Sequence, residues 1–147
     1  MTARAPNFIV IEHDEYHTQN VGTTADGRQF FLTHPFVPAT KSAGREFLAL
    51  YLFDVNGILL EARIDDLGAR KDLDKEANHV LLEKRLAELG EFSFGRIEVA
   101  PFRVERFGIE FGLIPQAPED DDEDWAVIAE PGNYLAFIPP WDGSYDT

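Results

Sequence analysis

The chain has 147 residues, a length that normally makes one domain able to bury about two thirds of its unfolded surface. Thirteen basic residues face 27 acids, a formal charge of −14, and there is no cysteine. That balance argues against DNA, RNA and anionic membranes, which need Lys and Arg to displace counterions, and the missing thiols exclude disulfides, thiol catalysis and thiolate zinc sites.

Taken from the start, residues 1–7 carry one basic side chain and lead into only Phe8-Ile9-Val10-Ile11. This apolar stretch is too short for a signal peptide, and no run approaches the length needed to span a membrane. The expectation is a bacterial-type cytoplasmic protein of a single domain, residues 1–147.

His13-Asp14-Glu15-Tyr16-His17 follows. On a helix, His13 and His17 would share a face, as in the zinc-protease pattern H-E-x-x-H. Here Asp14 stands where that pattern has Glu, and the flanking segments read as extended. The expectation is a surface turn with two ordinary histidines and no metal.

Three glycine turns then organise the chain. Ala25-Asp26-Gly27 lies between Thr18–Thr23 and Arg28–His34. Asp54-Val55-Asn56-Gly57 lies between Glu46–Phe53 and Ile58–Asp65. Arg106-Phe107-Gly108 lies between Phe102–Glu105 and Ile109–Ile114. Asp-Gly and Asn-Gly supply the positive φ of tight turns, so three antiparallel hairpins are predicted. Phe47, Ala49, Tyr51 and Phe53 alternate with Leu48, Leu50 and Leu52. An apolar strand on both sides is covered on both sides, hence central. Ile58, Leu60, Ala62 and Ile64 read as the buried face of the next strand. Between Ile97/Val99 and Phe102/Val104 the phase slips, and Ala100-Pro101 predicts a bulge or break there.

One helix is predicted, from Asp74 as N-cap to about Leu89, with Gly90 as its stop. Ala77 and Val80 point away from Leu82, Leu86 and Leu89, which predicts a helix packed on two sides. One helix covers too little of the sheet. Either the sheet curls on itself or a second subunit of a homodimer covers it. Trp125–Ala129 and Tyr134–Ile138 read as strands around Glu130-Pro131-Gly132-Asn133. The fold class is therefore α+β: an antiparallel sheet of hairpins with one main helix packed on it.

Three places could carry function. The run Glu119, Asp120, Asp121, Asp122, Glu123 and Asp124 is contiguous, unlike a calcium loop with its alternating acids and turn glycine. A hydrated loop is expected, with contact to a basic protein partner as its functional reading. The tail holds Trp141, Asp142 and Tyr145. It reads as a clasp that ties the tail down, or as a recognition patch. His13, His17 and His34 are the candidates for acid–base catalysis, without a nucleophile at a recognisable spacing. No phosphate loop and no G-x-S-x-G occurs, and no cofactor is expected.

Several of these stretches carry a resemblance. They are His13-Asp14-Glu15-Tyr16-His17-Thr18 with Val21-Gly22 and Ala25-Asp26-Gly27-Arg28-Gln29-Phe30, then Leu50-Tyr51-Leu52-Phe53-Asp54 and Phe111-Gly112-Leu113-Ile114. Pro140-Trp141-Asp142-Gly143 with Tyr145-Asp146-Thr147 completes the set. The chain resembles small bacterial proteins that carry the label formate hydrogenlyase regulatory protein. That resemblance implies a regulator and assigns no catalytic or binding residue. The chain has no helix-turn-helix signal and the wrong charge for DNA, so regulation would run through a protein. The functional expectation is a non-catalytic acidic protein-binding or regulatory module, similar in profile to an immunity protein. The alternative is a small-molecule enzyme using histidine and carboxylate acid–base chemistry.

Overall fold

The computed structural model describes residues 4–39 and 44–147. The first three residues of the segment read above for a signal peptide lie outside them. Among the described residues the fold is α+β, with antiparallel sheets built of hairpins and one α-helix.

Strand β5 (Arg45–Phe53) is the centre. Strand β6 (Leu59–Ala69) runs along one of its edges, and β3 (Gln29–Thr33) and β4 (Phe36–Val37) share the other. Outside β3 lie β2 (Val21–Thr24) and then β7 (Phe92–Phe94). A second sheet is made of β9 (Phe102–Arg106), β10 (Ile109–Gln116), β11 (Ala126–Glu130), β12 (Ala136–Phe137) and β13 (Tyr145–Asp146), in order along the chain. A short ribbon joins β1 (Ile9–Ile11) to β8 (Ile97–Val99).

The alternation along β5 divides the core. Ala49, Tyr51 and Phe53 face a cluster that also takes in Ile9, Ile11, Val99, Leu113, Val127 and Phe137, so the second sheet and the ribbon cover that side. Leu48, Leu50 and Leu52 face the other way, with Phe30 and Leu32, and are covered by Leu86 and Leu89. Both faces of β5 are thus covered within one chain, and the need to cover the sheet gives no argument for a second subunit.

Helix α1 (Lys75–Ala87) starts where Asp74 Oδ1 accepts the N–H of Ala77 at 3.0 Å. It ends before Gly90, whose φ of 73° lies in the left-handed region. The expected two-sided packing does not occur. Leu86 is buried and Leu81 and Leu82 are half-buried, while Ala77 is exposed and Val80 is 63 % exposed. The scattered apolar positions reflect tolerance of Ala and Val on a solvated face, since α1 has only the sheet to pack on.

The expected alternation of β6 also needs correction. Leu52 pairs with Glu61 but Phe53 with Leu59, so Leu60 is an extra residue in a bulge. The phase flips there. Leu59, Ala62 and Ile64 pack on the core, whereas Ile58 and Leu60 are 49 % and 56 % exposed. The break at Ala100-Pro101 is a change of partner: Ile97–Val99 pairs with β1, and Phe102–Arg106 with β10.

Candidate functional site

Residues 13–18 form a turn held by one carboxylate, not a helix. Asp14 Oδ1 accepts the N–H groups of Tyr16, His17 and Thr18 at 2.8, 3.0 and 3.1 Å. Asp favours this because its short side chain can satisfy its own following backbone. Thr18, buried, donates its hydroxyl to the Glu12 carbonyl at 2.6 Å. The turn sends the histidines apart. His13 stacks on Phe94 with ring centroids 5.4 Å apart, and His17 meets Tyr145 edge-on at 6.0 Å. Among the described residues, no group of three or more His, Asp or Glu could hold a metal ion.

The tail lies against this turn. Val10 N–H donates to the Trp141 carbonyl at 3.1 Å, and Trp141 and Tyr145 pack on the core cluster. Gly143 crosses Glu12 so closely that a Cβ would stand 2.5 Å from Glu12 Cγ. Asp142 is exposed and accepts the N–H and hydroxyl of Ser144 at 3.2 and 2.8 Å. The Ser144 hydroxyl in particular holds the Asp142 carboxyl below its ordinary value.

Tyr145 donates its hydroxyl to Asp14 Oδ2. Burial raises the Asp14 carboxyl, but the bonds from Tyr145 and the turn backbone outweigh it and hold the group well below the usual carboxylate range. Burial and this same bond push the Tyr145 hydroxyl up to about 12. The aromatic side chains at the tail are therefore engaged in internal contacts.

Residues 119–124 join β10 to β11. Glu119 to Glu123 are exposed and turn upon their own loop. Glu123 Oε2 accepts the Glu119 N–H at 3.1 Å, and Asp120 Oδ1 accepts the Asp122 N–H at 2.9 Å. Asp124, half-buried, accepts the Trp125 N–H at 2.8 Å.

The third histidine finds company that spacing did not reveal. A cleft of about 230 Å³ is lined by His17, His34, Gln19, Asn20, Leu32 and Tyr134, among others. The Thr33 and Tyr134 hydroxyls bond across it at 3.0 Å. Burial pushes the Tyr134 hydroxyl well above its ordinary value and lowers the His34 imidazole. His13 does not line this cleft, nor does any Asp or Glu. The arrangement can donate hydrogen bonds from imidazole and phenol, but it lacks a carboxylate to orient an imidazole as a base.

A separate cleft of about 300 Å³ lies between Glu110, Ile114, Ile128 and Glu130. Glu130 Oε1 is buried without a partner, and burial raises its carboxyl. Tyr134 and Glu130 both escaped the sequence reading, which saw them only as a strand residue and a turn residue. The one available signal was their placement on either side of Pro131-Gly132-Asn133, where Gly132 and Asn133 take positive φ.

No family model matches the chain, and no curated protein or solved structure matches it.

Proposed function

We propose that this chain is a non-catalytic acidic module that binds a basic protein and regulates or neutralises it, acting in the bacterial cytoplasm. The observation that supports this is how charge is distributed. Arginines are paired with the chain's own carboxylates elsewhere: Arg85 with Asp65 at 2.7 Å, Arg45 with Asp66 at 2.9 Å and Arg63 with Glu61 at 3.1 Å. Among the described residues no Lys or Arg forms such a pair with residues 119–123, whose carboxylates remain at the surface. Uncompensated negative charge of this kind steers a basic partner and speeds encounter. The regulatory resemblance agrees with such a role, and the immunity-protein comparison is one of profile.

The enzyme alternative needs a carboxylate beside a histidine. The cleft that holds His17 and His34 has none along its walls, so the binding reading is preferred.

The test compares the wild-type chain with a variant carrying Asp120→Asn, Asp121→Asn and Asp122→Asn. Captured protein should leave the wild type in high salt, and the variant should bind it roughly tenfold more weakly, mainly through slower association. Equal capture by both chains, unaffected by salt, would remove the reading.

A further inference from the structure

Two clefts meet at His34. The first is the one shared with His17 and Tyr134. The second, also about 230 Å³, is lined by His34, Lys75, Asn78, His79 and Leu82. His34 and Leu82 border both, so the two make one groove between the end of β3 and the first turns of α1.

The chemistry of this groove departs from the rest of the surface. Of 147 residues 27 are acidic, yet among the described residues no Asp or Glu lines either half. Three of the four histidines and Lys75 do. Of the carboxylates on the helix side, Asp74 caps Ala77, while Glu83 stands 3.7 Å from His79 Nε2 and puts one negative charge beside the second half, at His79 rather than at His34 or Lys75. The first half is lined by both apolar and polar side chains. Leu32, Phe36 and Leu82 supply the walls, and Asn20 and Tyr134 supply hydrogen-bonding groups. Apolar walls with a few convergent polar groups are what a small-molecule site requires. Desolvation lowers the His34 imidazole, and an anion beside it would act against that shift, because an opposite charge favours the protonated form.

We propose that this groove binds a small organic anion. Its carboxylate or phosphate head lies between His34 and Lys75, and its apolar body rests on Leu32, Phe36 and Leu82. This site is separate from the acidic loop and stands whether or not that loop binds a protein.

The test titrates benzoate and phenyl phosphate into the protein and follows backbone amide resonances. Benzyl alcohol and benzylamine serve as the neutral and cationic probes of similar body. Both anions should shift the signals of His34, Lys75 and Leu82 saturably, and benzylamine should not. The tighter of the two anions identifies the head group. Lys75→Gln, at an exposed helix position, and His34→Gln should each weaken the anions about tenfold, the loss of one charge-assisted hydrogen bond. The proposal fails if benzylamine or benzyl alcohol binds as well as benzoate, or if neither anion saturates at millimolar concentration. It also fails if a Lys75→Gln chain with an otherwise unchanged spectrum keeps full affinity.

Discussion

The hydroxyl of Tyr145 donates to the carboxylate of Asp14, which also gathers the N–H groups of Tyr16, His17 and Thr18. One side chain thus builds the turn after β1 and fastens the tail to it. Removing the donor alone, as in Tyr145→Phe, should cost about 1 kcal/mol, below the usual range for a bond to a charged group because the pair is only half-buried. Asp14→Ala removes the whole set and should cost about 2 kcal/mol. Urea denaturation of the two variants checks the order; a Tyr145→Phe chain less stable than Asp14→Ala would contradict it.

The same pair sets a pH dependence. Asp14 has a lowered carboxyl, so its contribution is complete above its unfolded value and is lost as acid carries the pH down through the folded one. Tyr145 works the other way. Its hydroxyl moves from 10.0 to about 12, so its contribution is complete below 10 and is lost as pH rises toward 12. The urea midpoint of the wild type should therefore fall more steeply over this alkaline interval than that of Tyr145→Phe. Parallel curves would mean the clasp is absent in solution.

Helix α1 should be sensitive on one side only. Leu86→Ala deletes a buried side chain between the helix and Leu48 and Leu50, and should cost about 2–4 kcal/mol. Val80→Ala touches a solvated face and should change stability by less than about 0.5 kcal/mol. Thermal melts of the two proteins distinguish one-sided packing from the two-sided helix that the residue pattern suggests.

Gly22 lets β7 approach β2. A Cβ at this position would stand 2.1 Å from the Ser93 carbonyl oxygen, which is backbone and cannot swing aside. Gly22→Ala should therefore cost at least about 2 kcal/mol, with amide shifts concentrated in Phe92–Phe94. A Gly22→Ala chain as stable as the wild type would show that the strand has room to move.

The hairpins and the central strand were legible because turn glycines and period-two alternation are local. Asp26-Gly27 and Asn56-Gly57 mark their turns, and Phe47 to Phe53 carries two apolar faces at once. The helix was legible by its cap, Asp74, but its exposed face was not, since nothing in the order of Ala77 and Val80 says that one side has no neighbour. The bulge at Leu60 depends on the partner strand and has no mark in its own segment. The groove was least visible. His17, His34 and Tyr134 lie in three separate connecting segments and Lys75 at the start of α1, and only the tertiary fold brings them to adjoining clefts.

Strand β5 has a consequence for how the molecule comes apart. Tyr51 and its odd-numbered neighbours belong to one interior and Leu50 and its even-numbered neighbours to the other, so water admitted on either side meets the same backbone. Neither interior has a private route to melting. Amide protons along Arg45–Phe53 should accordingly be the last to exchange with deuterium, leaving only when the whole structure opens.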